Sequence, residues 1–139
     1  MEFSPWVVLS VVLQFAIVLL SLSVHESAHA WAADRLGDST GRMLGRITLN
    51  PWPHIDMVGT ILLPVVLAVA GLPVFGWAKP VPVITRNFGR VKRDMALVGI
   101  AGPTSNLLLA LVGTAILIGV QGFLGPAAFR EALTDPGSA

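Results

Sequence analysis

The chain has 139 residues, 54% of them hydrophobic and 12% charged, with a mean hydropathy of +0.76, which is the composition of a membrane protein rather than a soluble domain. Nine Lys and Arg stand against eight Asp and Glu, and a net charge of +1 gives no case for nucleic-acid binding. No cysteine is present, so a disulfide framework and a thiolate metal site are both excluded, and any metal ligand must be His, Asp, Glu or water.

The first predicted helix starts after Ser4, with Ser4 as cap and Pro5 at the first helical position, and runs to about Leu36, where Gly37 provides the stop. Such a helix is about 45 Å long, more than the ~30 Å of hydrocarbon in a bilayer. It reads as a retained span rather than a signal peptide: Glu2 is its only early charge, the apolar run is too long, and no small-residue cleavage site ends it before the histidines. No charged residue occurs from Trp6 to Val24, and then comes His25-Glu26-Ser27-Ala28-His29. On a helix, positions i and i+4 share one face, so both imidazoles can reach one metal ion, with Glu26 beside them to take a proton from water. Polar groups in so apolar a run are costly unless paired. A metal ion pairs them; a helix-packing network or an intramembrane proton relay would do so too. The apolar part centres near Leu20, which puts the two histidines roughly 8–14 Å from mid-helix, towards Asp34.

Gly37 to Pro53 is a polar connection in which Arg46-Ile47-Thr48-Leu49 alternates and Asn50-Pro51 ends the alternation. This predicts a short strand or hairpin against the membrane face, either a plain connection or an edge for an extended substrate at Thr48 and Asn50. His54 beside Trp52 reads as an interfacial residue. A second span is predicted over about Met57 to Leu72, kinked at Pro64. Lys79-Pro80-Val81-Pro82-Val83 must be extended, and Arg86, Arg90, Lys92 and Arg93 form a juxtamembrane basic run. A third span is predicted from near Met95, with Asp94 in its first turn, to about Leu124. Gly102-Pro103 should bend it, and Asn106 is placed for interhelical bonding or substrate contact. Residues 125–139 are expected to be a frayed tail. With three spans, Lys and Arg divide five against four between the two sides, too even to orient the chain.

The chain resembles the site-2 protease family of intramembrane zinc metalloproteases, in its short prokaryotic branch. The resemblance rests on His25-Glu26-Ser27-Ala28-His29, then Gly45-Arg46-Ile47-Thr48-Leu49-Asn50-Pro51 with His54-Ile55-Asp56, then Gly76-Trp77-Ala78-Lys79-Pro80-Val81-Pro82-Val83, and Ala101-Gly102-Pro103-Thr104-Ser105-Asn106. It implies one Zn2+ held by His25 and His29, Glu26 as general base, and a membrane-embedded polypeptide as substrate. It also implies a multi-pass protein of the prokaryotic cell membrane, with the metal site nearer the cytosolic face. The implied fold is all-α and membrane-integral, about three transmembrane helices in one domain over residues 1–139.

One element of the family pattern is missing. The family takes a third ligand, and an assisting asparagine, from a later motif like N-x-x-P-x-P-x-L-D-G. None of Asp34, Asp38, Asp56, Asp94 and Asp135 precedes a glycine. The domain therefore reads as C-terminally incomplete, with an oligomer or a complementing chain as a source of the ligand. Two other readings follow from that departure and from the polar set itself: a non-catalytic membrane module binding zinc or clients, and a small ion or proton-relay transporter.

Overall fold

The computed structural model describes residues 5–134 and is all-helical there, with no strand among the described residues. Helix α1 (Pro5–Arg35) has 31 residues and α4 (Val91–Leu124) has 34, and both are long and apolar enough to cross a membrane. Between them lie the short α2 (Thr40–Met43), a 3-10 turn (Trp52–His54), a π-helical turn (Met57–Leu62) that runs on into α3 (Leu63–Val69), and a second 3-10 turn (Thr85–Asn87). A final helix, α5, covers Pro126–Thr134. Ser4, expected to cap the first helix, and Asp135 lie outside the described residues.

The ends of α1 and α4 follow their residues. Gly37 takes φ 112° just beyond α1, a left-handed conformation that stops a helix. Asp94 sits in the first turn of α4, and its Oδ2 accepts from the Arg90 N–H at 2.8 Å. Pro103 lies within α4, which continues through it. Because proline has no N–H, one carbonyl of the preceding turn lacks its usual donor.

Three expectations are corrected. Ile47–Leu49 forms bends and no hairpin, because the main chain of Thr48 is bonded to side chains rather than to a second strand. The predicted second span is a helix of 13 residues, Met57–Val69, about 20 Å long and shorter than a bilayer core. Its end is set by Gly71, at φ 68°. The supposedly frayed tail is helical up to Thr134, with Pro126 opening α5 directly after Gly125.

The long helices pack through small side chains. Ala30 and Ala33 are fully buried, and Ala32, Phe88 and Val98 form a small core that Leu36, Val83 and Ala101 extend. Small residues let two helix backbones approach closely, which is how apolar helices associate where lipid offers no hydrophobic drive. Outward, α1 exposes Val11, Val12, Ile17 and Val18, and α4 exposes Leu107, Leu111 and Ile116.

The connections are fastened by buried polar groups. Asp38 is fully buried; its carboxylate accepts from Ile84 N (2.7 Å), Asn87 Nδ2 (2.8 Å), and the N–H and hydroxyl of Thr40. Buried Arg46 donates from its Nη1 to the carbonyls of Pro53 (2.6 Å) and Lys79 (3.2 Å). Asp56 caps the π turn by accepting from Val58 N and Gly59 N.

Burial pushes the Asp38 carboxyl up, but hydrogen bonds from Thr40, Ile84 and Asn87 outweigh it and hold the group below the ordinary carboxylate range. A carboxylate depressed in the folded state stabilises above its unfolded pKa of ~3.9, and that contribution is lost as pH falls through the folded value. Asp38→Asn is therefore expected to cost about 1–3 kcal/mol at neutral pH. Unfolding midpoints in detergent should show this gap to wild type narrowing once pH drops below about 4.

Candidate metal centre

His25, Glu26 and His29 lie on α1, two to three turns before its end, where α4 crosses it. The two imidazoles meet edge to face, ring centroids 4.7 Å apart at 80°. Their Nε2 atoms converge on the backbone of Gly102. A Cβ added there would stand 2.3 Å from His29 Nε2 and 2.5 Å from His25 Nε2. Glycine is thus required by space, since any side chain would occupy the point to which both nitrogens are directed.

The opposite ring nitrogens are engaged with α4 as well. His29 Nδ1 lies 2.6 Å from the carbonyl oxygen of Val98, which can only accept, so Nδ1 carries the proton and Nε2 carries the lone pair. That is the arrangement in which a histidine ligates a metal through Nε2 while its other nitrogen is fixed by a carbonyl. His25 Nδ1 lies 3.1 Å from the side-chain amide of Asn106. The pair therefore fits a borderline divalent ion in its donor atoms, and His29 fits it in its tautomer as well. Among the described residues, no group of three His, Cys, Asp or Glu side chains stands close enough to hold a metal together.

Glu26 borders a cleft of about 410 Å3 on the other side of His25, whose walls include Ile17, Val18, Trp77, Ala78 and Asn106. The strap carrying Trp77 is firmly held. Trp77 N donates to Gly59 O, Thr60 Oγ1 donates to Trp77 O at 2.8 Å, and Lys79 N donates to His54 O at 2.9 Å. The Trp77 ring lies on Gly59, where a Cβ would come within 2.3 Å of it.

The other sequence candidates are accounted for individually. Thr48 N donates to Ser27 Oγ at 3.0 Å, while Thr48 O accepts from Ser27 Oγ and lies 3.1 Å from His54 Nε2. Its main-chain groups are thus occupied within the chain. Asn50 Oδ1 accepts from Trp52 N at 3.1 Å and shapes the turn that follows. His54 is fully buried in this loop, apart from the paired histidines. Asn106 does make an interhelical contact, and it makes it to His25. The sequence left Gly102, Val98 and Trp77 without roles at the site. The Gly102-Pro103 pair was the available signal, read there as a bend.

Gly102→Ala is expected to force α1 and α4 apart and to destabilise by about 1–3 kcal/mol, the usual cost of overpacking. Gly113→Ala, on the same helix with nothing within 4 Å of the added methyl, is the control. Thermal unfolding should show it neutral or slightly stabilising.

Comparison with known proteins places the chain in a family. The chain is 46% identical over 101 residues to "Putative zinc metalloprotease YwhC" of Bacillus subtilis, covering 73% of this chain and 43% of that protein. It is 35% identical over 95 residues to "Putative zinc metalloprotease Rip2" of Mycolicibacterium smegmatis, covering 68% of this chain and 35% of that protein. The Rip2 of Mycobacterium tuberculosis is 34% identical over the same length. The chain spans less than half the length of these curated relatives. No family model matches it, and no solved structure matches it. Homology to two differently named putative zinc metalloproteases makes this a site-2 protease-like chain.

Proposed function

We propose that the chain carries the metal-binding helix pair of a zinc-dependent intramembrane endopeptidase, with α1 and α4 crossing the bilayer. The observation that carries this reading is the convergence of two imidazole Nε2 atoms on Gly102, with the His29 Nδ1 proton held by Val98. His25 and His29 would hold Zn2+, which when bound supplies Lewis-acid chemistry: it acidifies water and polarises a carbonyl. A third donor would come from outside the described residues.

Within that reading each residue has a task. Glu26 takes a proton from the attacking water and passes it to the leaving amide nitrogen as the C–N bond breaks. The cleft beside it is apolar at Ile17 and Val18 and closed by Trp77 and Ala78, which suits a segment of membrane-embedded polypeptide entering sideways from lipid. The strap limits the water that reaches the bond, and buried polar side chains of the α1–α2 connection hold the helix in position. Thr48 and Asn50 shape the loop behind the site.

The test is cleavage of a membrane-anchored reporter by the chain and by Glu26→Gln, with zinc content measured on both. Loss of a general base is expected to slow turnover by about 10²–10⁴-fold. Zinc should remain in Glu26→Gln and be lost from His25→Ala and His29→Ala. Equal cleavage by wild type and Glu26→Gln would overturn the assigned base.

A further inference from the structure

Helix α4 presents one hydrogen-bonding group to each histidine's Nδ1, but only one of the two is fixed in its role by chemistry. For His29 the acceptor is the Val98 carbonyl oxygen, which has no hydrogen to give. For His25 the neighbour is the Asn106 side-chain amide, which can either donate or accept. As placed, Asn106 Nδ2 lies 3.1 Å from His25 Nδ1, while Asn106 Oδ1 is buried with no hydrogen-bond partner.

The two ends of an amide are nearly identical in shape and exchange by a half-turn. With nitrogen facing the ring, Asn106 donates into the Nδ1 lone pair, and the ring proton must sit on Nε2. That proton would then point at Gly102, where His29 Nε2 also points. With oxygen facing the ring, Asn106 accepts from Nδ1–H, and both Nε2 lone pairs converge. In either setting one end of the amide lacks a protein partner, so burial does not choose between them; the reading of both histidines as metal donors does.

We infer that Asn106 is the positioning residue for His25: its amide oxygen accepts from Nδ1–H, as Val98 O does for His29, and so presents Nε2 as the metal donor. Asn106 stands four residues beyond Gly102 and Val98 four before it, so all three lie along one face of α4. One helix face thereby sets the tautomer and plane of both rings while leaving space between them. This rests on the reading of His25 and His29 as zinc donors, and adds that α4 selects the donor atom.

The experiment uses the full chain in detergent, zinc affinity by chelator competition, and 15N spectra of the imidazoles in zinc-free protein. Asn106→Leu removes the acceptor at similar size, whereas Asn106→Asp keeps an oxygen facing the ring. Asn106→Leu is expected to weaken zinc binding by about 10–100-fold. Asn106→Asp should bind at least as tightly as wild type. The spectra should show His25 with its proton on Nδ1 in wild type and in Asn106→Asp. Asn106→Leu matching wild type, or Asn106→Asp binding as weakly as Asn106→Leu, would overturn the assignment. So would a wild-type His25 carrying its proton on Nε2, a result that holds even if Asn106→Leu fails to fold. A wild-type chain that binds no zinc but shows the Nδ1 proton would instead sink the zinc reading and leave the tautomer assignment standing.

Discussion

The close crossing of α1 and α4 at Gly102 is the constraint on which the rest depends. Two imidazoles in an apolar helix pair need their four ring nitrogens accounted for, because an unmet polar group there costs several times what a met one gains. Here α4 meets both Nδ1 atoms with Val98 and Asn106 and leaves room for both Nε2 atoms at a residue without a side chain. The same crossing is helped by Ala32 and Ala33 on α1, buried methyl groups that pack with Val98 of α4. Packing and site chemistry are therefore one problem with one solution.

Around that crossing, the polar connections act as fasteners. Asp38 collects bonds from residues more than forty positions away, and Arg46 reaches both the 3-10 turn and the strap. Neither is needed for the chemistry of the histidines. Arg46, through Lys79 O, fixes the segment whose Trp77 and Ala78 wall the cleft onto which the glutamate and the nearer histidine open. Long apolar helices can slide along one another at little cost when only small residues mediate their contact. Bonds between buried charges and main chain remove that freedom.

Much of this was legible in the residues. The C-terminal end of α1 at its glycine stop, the acidic first turn of α4 and the i, i+4 histidine pair all follow from local rules that the structure obeys. The failures have a common cause, which is that the deciding partner was distant in sequence. Arg46-Ile47-Thr48-Leu49 alternates like a strand, but Ser27 and His54 take the bonds that a second strand would have used. Met57 to Leu72 is apolar enough for a span, yet Gly71 ends it and Gly59 is spent on receiving the Trp77 ring. Pro126 looked like the start of a frayed end, whereas proline at a first helical position is the beginning of α5. Gly102 looked like half of a kink, and its meaning lay in two histidines more than seventy residues earlier.

The Ser27 hydroxyl carries one more implication. It lies two residues from both His25 and His29, hence about 200° round the helix from each, on the side of α1 turned away from them. It grips the main chain of the loop at Thr48, while the histidines grip α4. The helix is thus clamped between two supports on opposing flanks, and it cannot roll about its own axis without releasing both. Freedom to move is therefore left to the pieces around α1, because this turn of it is keyed in place like a shaft.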